Sequence, residues 1–584
     1  MTFEESELYV KNFQALEKKN KWLADLVDSK EPTQIKSFFD PENEYEDIKN
    51  RLKDFYYESN FLVVIGLAPY YHLKVFLEKY KKNIIIFEPR PDILKYKMYH
   101  FNFTEILQNP QIQITNSIRQ LNSYISENYH GWEEGQLHCC GTYYHLEPTL
   151  LELVRRSIEA QSELINLINN TLIFHGEDWC KHFFWNIPHF KANNSARDTD
   201  NIYKGKDQTC VIVGAGDSVD KSLELLYPYK NMIHWFVCDV ASSIMKKNDI
   251  QPDVIFTLEK NEFSTSKIDV ETCNNSSLFL GDIANPLAYN IPSKNKFIIY
   301  QDGTGMNEQF CSRYNLKQVA VGSTVLSVAF QCAINMGFKT IIIIGSDFCF
   351  KGDERYSKSL SFSNIHSFKK DIKNVMGDSF DENIFNDGVI NCVRGIENIY
   401  GEDVSSYPAY LASRKWIGRT ALLVKDTNLF NITNGIPLQG FKNIPLRKVA
   451  SISEVLSFTN NKEDLLSSFK KIHNFDEGDY TKNILEKLKI IISISEIISK
   501  QPMTNDIKSL YSKLNDTLLF LIDEDKMLNV LFLKETKQMN ILCHEGSKKE
   551  CTNKEELMSK YFLQYKNLIK KAGNMYQIIQ GLHQ

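Results

Sequence analysis

Between residues 209 and 344 the chain repeats one pattern: a short run of β-branched and aromatic residues, a turn, then a stretch with helical spacing. The runs are Thr209–Val213, 235–238, 254–258, 278–280, 297–300 and Thr340–Ile344. None alternates cleanly between apolar and polar residues, so each strand must be covered on both faces. That condition is met by a mostly parallel sheet with helices on both sides. The residues 340–344 form too short a run to cross a bilayer, which takes roughly 18 apolar residues. No other stretch comes closer, so no membrane span is expected.

The flanks read differently. Up to about residue 55 the spacing of Leu16, Trp22, Leu23 and Leu26 predicts helices. Residues 61–65 then form a strand, Gly66 to Pro69 a turn, 70–80 a helix and 83–87 a second strand ending at Glu88-Pro89. This is half of a nucleotide-type βαβ unit. It has one glycine where a dinucleotide loop has three, which favours scaffold or partner surface over a cofactor site. Helical segments are expected to continue to about 180. The polar run 193–200 reads as an interdomain linker. Beyond about 450, Ile484, Leu488, Ile491 and Ile498 keep helical spacing, as do Ile507, Leu510, Leu514, Leu518 and Leu521, and Leu557, Tyr561, Tyr565, Leu568, Ala572 and Met575. The expected class is α/β with three domains: a helical and Rossmann-like one at 1–190, a central doubly wound one at 191–445 and a helical bundle at 446–584.

Composition narrows the partners. The formal net charge is −5, which gives no global basic field for a nucleic-acid backbone, and nucleic acid is not an expected partner. The 12 cysteines are scattered without a CxxC pair, so neither a zinc site nor a disulfide framework is indicated. The acidic start, Met1-Thr-Phe-Glu-Glu-Ser-Glu, lacks the features of a signal peptide. A cytoplasmic protein with reduced thiols is the expectation.

Ligands of open α/β sheets bind beyond the C-terminal ends of the strands. The turn Gly214-Ala215-Gly216-Asp217-Ser218 follows the first central strand. It reads either as a phosphate cradle at a helix N-terminus or as a tight strand-to-helix turn; Val219 occupies the place of the third fingerprint glycine. Ser218 is placed to cap the helix or donate to a phosphate. Asp239, after the second strand, would accept from ribose hydroxyls or cap a helix. Glu259, after the third, would serve as base, metal ligand or anchor, or be a solvated loop acid. Gly322-Ser323-Thr324 offers hydroxyls and amides at a helix start, a second anion site. Ser346 and Asp347 place a hydroxyl and a carboxylate at the exit of 340–344, where the carboxylate could take a proton from an attacking hydroxyl. His366 in a polar loop is a mobile base or a surface histidine. The aromatic segment 179–185 reads as interdomain packing. Zincin, serine-hydrolase, P-loop and kinase motifs are absent from the sequence.

Cys210-Val-Ile-Val-Gly-Ala-Gly-Asp-Ser-Val-Asp220 resembles the "VGAGPSLD" segment of the motility-associated factor (Maf) flagellin glycosyltransferases. Ile250-Gln-Pro-Asp-Val-Ile-Phe-Thr-Leu-Glu259 resembles their "GIxPD" segment. Gly322-Ser-Thr-Val325 through Ile341 to Phe348 is similar to their "GSVATTA…GxxxIILIGQDLAF" block, and Asn431-Ile-Thr-Asn-Gly435 to their "NATxGG" end. Asp217 stands in place of the usual proline and Ser346 in place of the usual glutamine. The family's Thr-His-Ala is not evident near Arg355-Tyr-Ser357. The resemblance implies a central domain of sialyltransferase-like type. It also implies transfer of a nonulosonic acid, pseudaminic or legionaminic, from its CMP-activated form to Ser or Thr of flagellin, in support of flagellar assembly and motility. It places donor binding at 214–218, 322–324 and Ser346, with Asp347, Glu259 and Asp239 competing as base. No cofactor is required by that chemistry, and a divalent metal is not expected. The central region is also similar to 6-hydroxymethyl-dihydropterin pyrophosphokinases, which would use ATP and Mg²⁺. A non-catalytic flagellin-binding adaptor is the remaining alternative.

Overall fold

The computed structural model describes residues 3–33, 44–52, 61–66, 70–80, 83–128, 135–139, 148–322, 324–361, 363, 365–376, 392–449, 451, 462–466, 469, 473, 477–500, 516–522, 524–547 and 554–582. Two compact units divide between Phe174 and His175, inside the single helix Pro148–Phe190.

The first unit is an α/β unit of Rossmann-like type. Strands β1 (Phe61–Ile65), β2 (Asn83–Phe87), β3 (Ile112–Thr115) and β4 (Gly135–Cys139) pair in the order β3-β2-β1-β4, all parallel. Side chains alternate across β1. Leu62 and Val64 join a core with the helices Phe3–Lys19, Lys21–Asp28 and Pro91–His100, while Phe61, Val63 and Ile65 pack against Leu121, Leu151 and Val154. The expectation that helical segments continue to about 180 is corrected in part: β3 and β4 lie among the helices. Their polar residues, Gln113, Thr115, Gln136 and His138, hide the period from a sequence reading. Leu67 to Pro69 lie outside the described residues.

The second unit is built on nine strands. They are β5 (Asn194–Ser195), β6 (Thr209–Val213), β7 (Ile233–Cys238), β8 (Val254–Thr257), β9 (Ser277–Gly281), β10 (Asn295–Ile299), β11 (Thr340–Ile344), β14 (Asn428–Thr433) and β15 (Lys442–Pro445). Their order is β15-β14-β11-β6-β7-β8-β9-β10-β5, and every pairing is parallel. A separate antiparallel pair joins β12 (Val393–Glu397) and β13 (Asp403–Ser406). Alternation sorts the sheet's side chains onto two faces. Cys210, Ile212, Phe236, Cys238, Ile341 and Ile343 meet the helix Val325–Met336. Val211, Val213, Trp235, Val237, Ile342 and Ile344 meet the helices Val219–Leu226 and Ser242–Lys247. That is a doubly wound sheet, and its apolar runs follow from burial on both faces.

The run 193–200 is not a free linker. Asn194 and Ser195 form the edge strand β5 against Phe297 and Ile298. Ser195 and Asp198 then close a capping box on a 3-10 helix, and Ala196 and Thr199 are buried. The polar residues are there to satisfy a turn inside the domain. His366 likewise lies in the first turn of the helix Ile365–Met376, not in a loop, and is exposed.

The C-terminal part is helical. Glu477–Lys500, Lys526–Ser547 and Lys554–Gly581 bury Leu488, Ile491, Leu531, Phe532, Tyr565, Leu568 and Ala572. Lys487 meets Asp525 at 2.7 Å and Lys571 meets Glu535 at 3.0 Å. Ile507, Leu510 and Leu514 lie outside the described residues.

Ile343 is fully buried between the sheet and the helix Val325–Met336. Ile343→Ala should cost about 2–5 kcal/mol in urea unfolding followed by the fluorescence of buried Trp235. The exposed control Val270→Ala should stay within about 0.5 kcal/mol of the parent.

Candidate functional site

The strand order reverses between β6 and β11: the chain runs from β6 outward through β7 to β10, then returns to the other side of β6 as β11. In such a sheet the crevice above this reversal is the expected ligand position. Three neighbouring strands end there, and one carboxylate joins them. Asp347, after β11, accepts the amide of Ser218 after β6 at 2.9 Å. Its other oxygen accepts Thr433 Oγ1 of β14 at 2.8 Å and the amide of Asn434 at 3.3 Å. Its backbone carbonyl accepts the amide of Ile436 at 2.9 Å.

The turns themselves are pressed together. The amides of Gly214 and Gly216 donate to Ile344 and Gly345 carbonyls at 2.9 and 2.8 Å. A Cβ on Gly214 would come within 2.4 Å of the Gly345 carbonyl and 2.7 Å of Ser346 Oγ, and one on Gly435 within 2.0 Å of the Asp347 carbonyl. Gly345, at φ 60°, and Phe348, at φ 53°, bracket the turn in the left-handed region, which for Phe348 is strained. The glycines at 214 and 345 therefore serve the contact between two turns. Three of the five amides of 214–218 are consumed within the fold. Ala215 is buried and its carbonyl accepts the amide of Ser357 at 2.8 Å. Ser218 heads the helix Val219–Leu226, but its hydroxyl is buried with no hydrogen-bond partner, so it neither caps the helix nor reaches the crevice. Ser346 is buried, with Oγ 3.4 Å from the Ile344 carbonyl. Asp217 is exposed; burial of its carboxyl and the charge of Asp347 push it above the ordinary carboxylate range.

The second expected anion site is also knitted internally. The amide of Gly322 donates to Ser327 Oγ at 3.0 Å, and Thr324 Oγ1 shares a 2.7 Å hydrogen bond with Ser413 Oγ on the helix Pro408–Ala421. Ser323 lies outside the described residues.

The other two acids follow β7 and β8. Asp239 is buried. Its oxygens accept the Val240 amide at 2.8 Å and Thr257 Oγ1 at 3.1 Å. Burial, and then the charge of Glu259, push Asp239 up to about 7. Glu259 is half-buried and accepts only Asn261 Nδ2, at 3.2 Å, among the described contacts. Burial raises it too, against the opposing pull of Lys260. Tyr356 and Tyr410 hydrogen-bond to one another, and the Glu259 charge helps hold the Tyr356 phenol protonated. Arg355 stacks on Phe350 at 3.5 Å and donates to Tyr407 Oη at 2.9 Å. No three carboxylate, imidazole or thiol groups converge to hold a metal among the described residues.

So the structure brings Asp347 together with 214–218 and Ser346, and sets Asp239 beside Glu259. Thr433, Asn434, Tyr356, Tyr410 and Lys260 are neighbours that the sequence reading did not single out. Of these, Thr433 and Asn434 carried a signal, since they sit in the segment 431–435.

Asp347→Ala would strip acceptors from Ser218, Thr433 and Asn434. Each buried donor left unpaired costs about 1–3 kcal/mol, so the variant should melt well below the parent in calorimetry. Ser346→Ala, which loses one long hydrogen bond, should melt close to it.

Comparison with known proteins adds the following. Residues 181–353 match the family described as 6-hydroxymethylpterin diphosphokinase MptE-like. No curated protein matches the chain. Among solved structures, the Maf glycosyltransferase from Magnetospirillum magneticum AMB-1 superposes with a TM-score of 0.64 at 14% identity, covering 99% of this chain and 97% of that one. No helix among the described residues is long and apolar enough to cross a membrane. The nine-stranded sheet with its MptE-like centre, flanked by a Rossmann-like unit and C-terminal helices, thus carries almost end to end the fold of a Maf glycosyltransferase.

Proposed function

We propose that the chain is a cytoplasmic glycosyltransferase that moves a nonulosonic acid from its CMP-activated donor to Ser or Thr of flagellin, in support of flagellar assembly and motility. The observation that carries this reading is the likeness of nearly the whole chain to the Maf glycosyltransferase, flanking parts included. A small pterin needs no such flanks, whereas a folded protein acceptor does.

The acids divide the work by how far each is already engaged. Asp347 has both oxygens bound by the protein and holds the strand exits in register. Asp239 is enclosed and bound to Val240 and Thr257. Glu259 keeps a half-buried carboxylate with one weak donor, so it is the base. The acceptor hydroxyl oxygen bonds to the anomeric carbon and its proton passes to Glu259. The bond from that carbon to the phosphate oxygen breaks, and CMP leaves with the electron pair. The crossing is oxocarbenium-like, so the anionic leaving group needs positive charge or donors nearby. No metal is part of this scheme.

Two experiments test it. Glu259→Gln should lower kcat by about 100- to 10,000-fold with KM little changed, measured with purified flagellin and CMP-sugar; an undiminished kcat would remove Glu259 from the role. A base raised by burial works only above its own pKa, so the rate should fall as pH drops through the raised value and level off above it. Burial raises Glu259, so that limb should lie above the pH at which an ordinary carboxylate titrates.

The MptE-like match over 181–353 favours one other reading, a pterin pyrophosphokinase. Melting the protein with CMP and with ATP plus Mg²⁺ separates them. The ligand that binds the folded state raises Tm; CMP should do so, and a rise with ATP alone would favour the kinase.

A further inference from the structure

If the turn at 214–218 spends three of its five amides internally and presents the acidic Asp217, much of the negative charge of a CMP-activated sugar acid has to be met elsewhere. The exits of β8 and β9 are lined by one half of the helix Pro148–Phe190. His182 Nδ1 lies 3.3 Å from the Ile283 carbonyl, and Asn186 donates to the carbonyls of Asp282 and Ala284 at 3.0 and 2.8 Å. At the head of the same face, His175 Nδ1 contacts Lys260 Nζ. Residues 175, 182 and 186 are spaced by seven and four, so they share one side of the helix.

Lys260 directly follows Glu259, and its side chain is 22% exposed. Its ammonium lies 3.8 Å from an oxygen of Asp178, which is 55% exposed and also lies 4.0 Å from Lys181. A half-buried ammonium is therefore held against an imidazole, with the partly solvated Asp178 and the adjacent Glu259 as the carboxylates that offset its burial. Burial depresses both Lys260 and His175, and the Lys260 charge depresses His175 further. An anion beside both groups would offset these penalties. Those carboxylates do not make up for the burial of Lys260, so a further negative charge beside it would be favourable.

We propose that Lys260, with His175 and His182 beside it, forms the subsite for an anionic oxygen group of the donor, its phosphate or its carboxylate. The inference rests on the glycosyltransferase reading and adds to it the residue that matches the donor's charge. It places that charge within reach of Glu259, on the β8 side of the sheet reversal.

The test is isothermal titration of the full chain with three probes: CMP, which offers phosphate; N-acetylneuraminic acid, which offers carboxylate; and CMP-N-acetylneuraminic acid, which offers both. Lys260→Gln should weaken the joined probe by about 10- to 100-fold, the loss expected for a charge-assisted hydrogen bond. Lys260→Arg should retain most of the affinity, and His175→Gln should lose less than Lys260→Gln. Weakening confined to CMP assigns the phosphate, and weakening confined to N-acetylneuraminic acid assigns the carboxylate. Equal melting temperatures of the variants and parent separate lost binding from lost fold. If the parent binds and Lys260→Gln binds equally well, the subsite is overturned while the donor reading stands. If the parent binds none of the three, the donor reading falls and this inference falls with it.

Discussion

One carboxylate holds the working edge of the large sheet in place. Asp347, at the exit of β11, accepts from Ser218 after β6 and from Thr433 and Asn434 at the end of β14, strands far apart in sequence. Parallel strands end in turns whose amides have no partner within their own element, and at a sheet's C-terminal edge those amides would be left buried. A single acceptor with two oxygens ties two such turns to its own. The cost is steric: Gly214, Gly345 and Gly435 have no room for a side chain, and Phe348 is held at positive φ.

This arrangement changes how the acidic residues are read. A carboxylate at a strand exit looks, by position, like a reactive group. Its hydrogen bonds decide otherwise, because an oxygen already accepting from the protein has fewer lone pairs free to accept from a substrate. Asp347 and Asp239 are both committed in this way, and Glu259 is not. Glu259 acts on Asp239 through charge: burial, and then that charge, raise Asp239 to about 7, so the two acids do not both ionise cheaply.

Much of the architecture was legible in the amino-acid pattern. The runs around Val211, Phe236, Ile255, Phe279, Ile298 and Ile342 identify themselves because strands buried on both faces leave no place for polar residues. β3, β4, β5, β14 and β15 do not. Asn194-Ser195 and Lys442–Pro445 are strands only because the sheet offers them an edge, which is a property of tertiary structure. At the site, position along the chain located Asp347, Asp239 and Glu259 at strand exits. It could not report that Thr433 and Ser218 occupy the first of them. Lys260 escaped notice for a similar reason, since the imidazole it meets belongs to a helix 85 residues earlier.

The strand order has a temporal side as well. β6 is made before β7, β8, β9 and β10 and pairs on one flank with β7, but its other flank belongs to β11, with β14 and β15 later still. During synthesis from the N-terminus that flank stays open while its partner is still being translated. It exposes unpaired amides and apolar residues such as Val211 and Ile212, the kind of surface on which nascent sheets mispair. A complete crevice is accordingly a late property of the nascent chain: until β14 has emerged, it has no third wall.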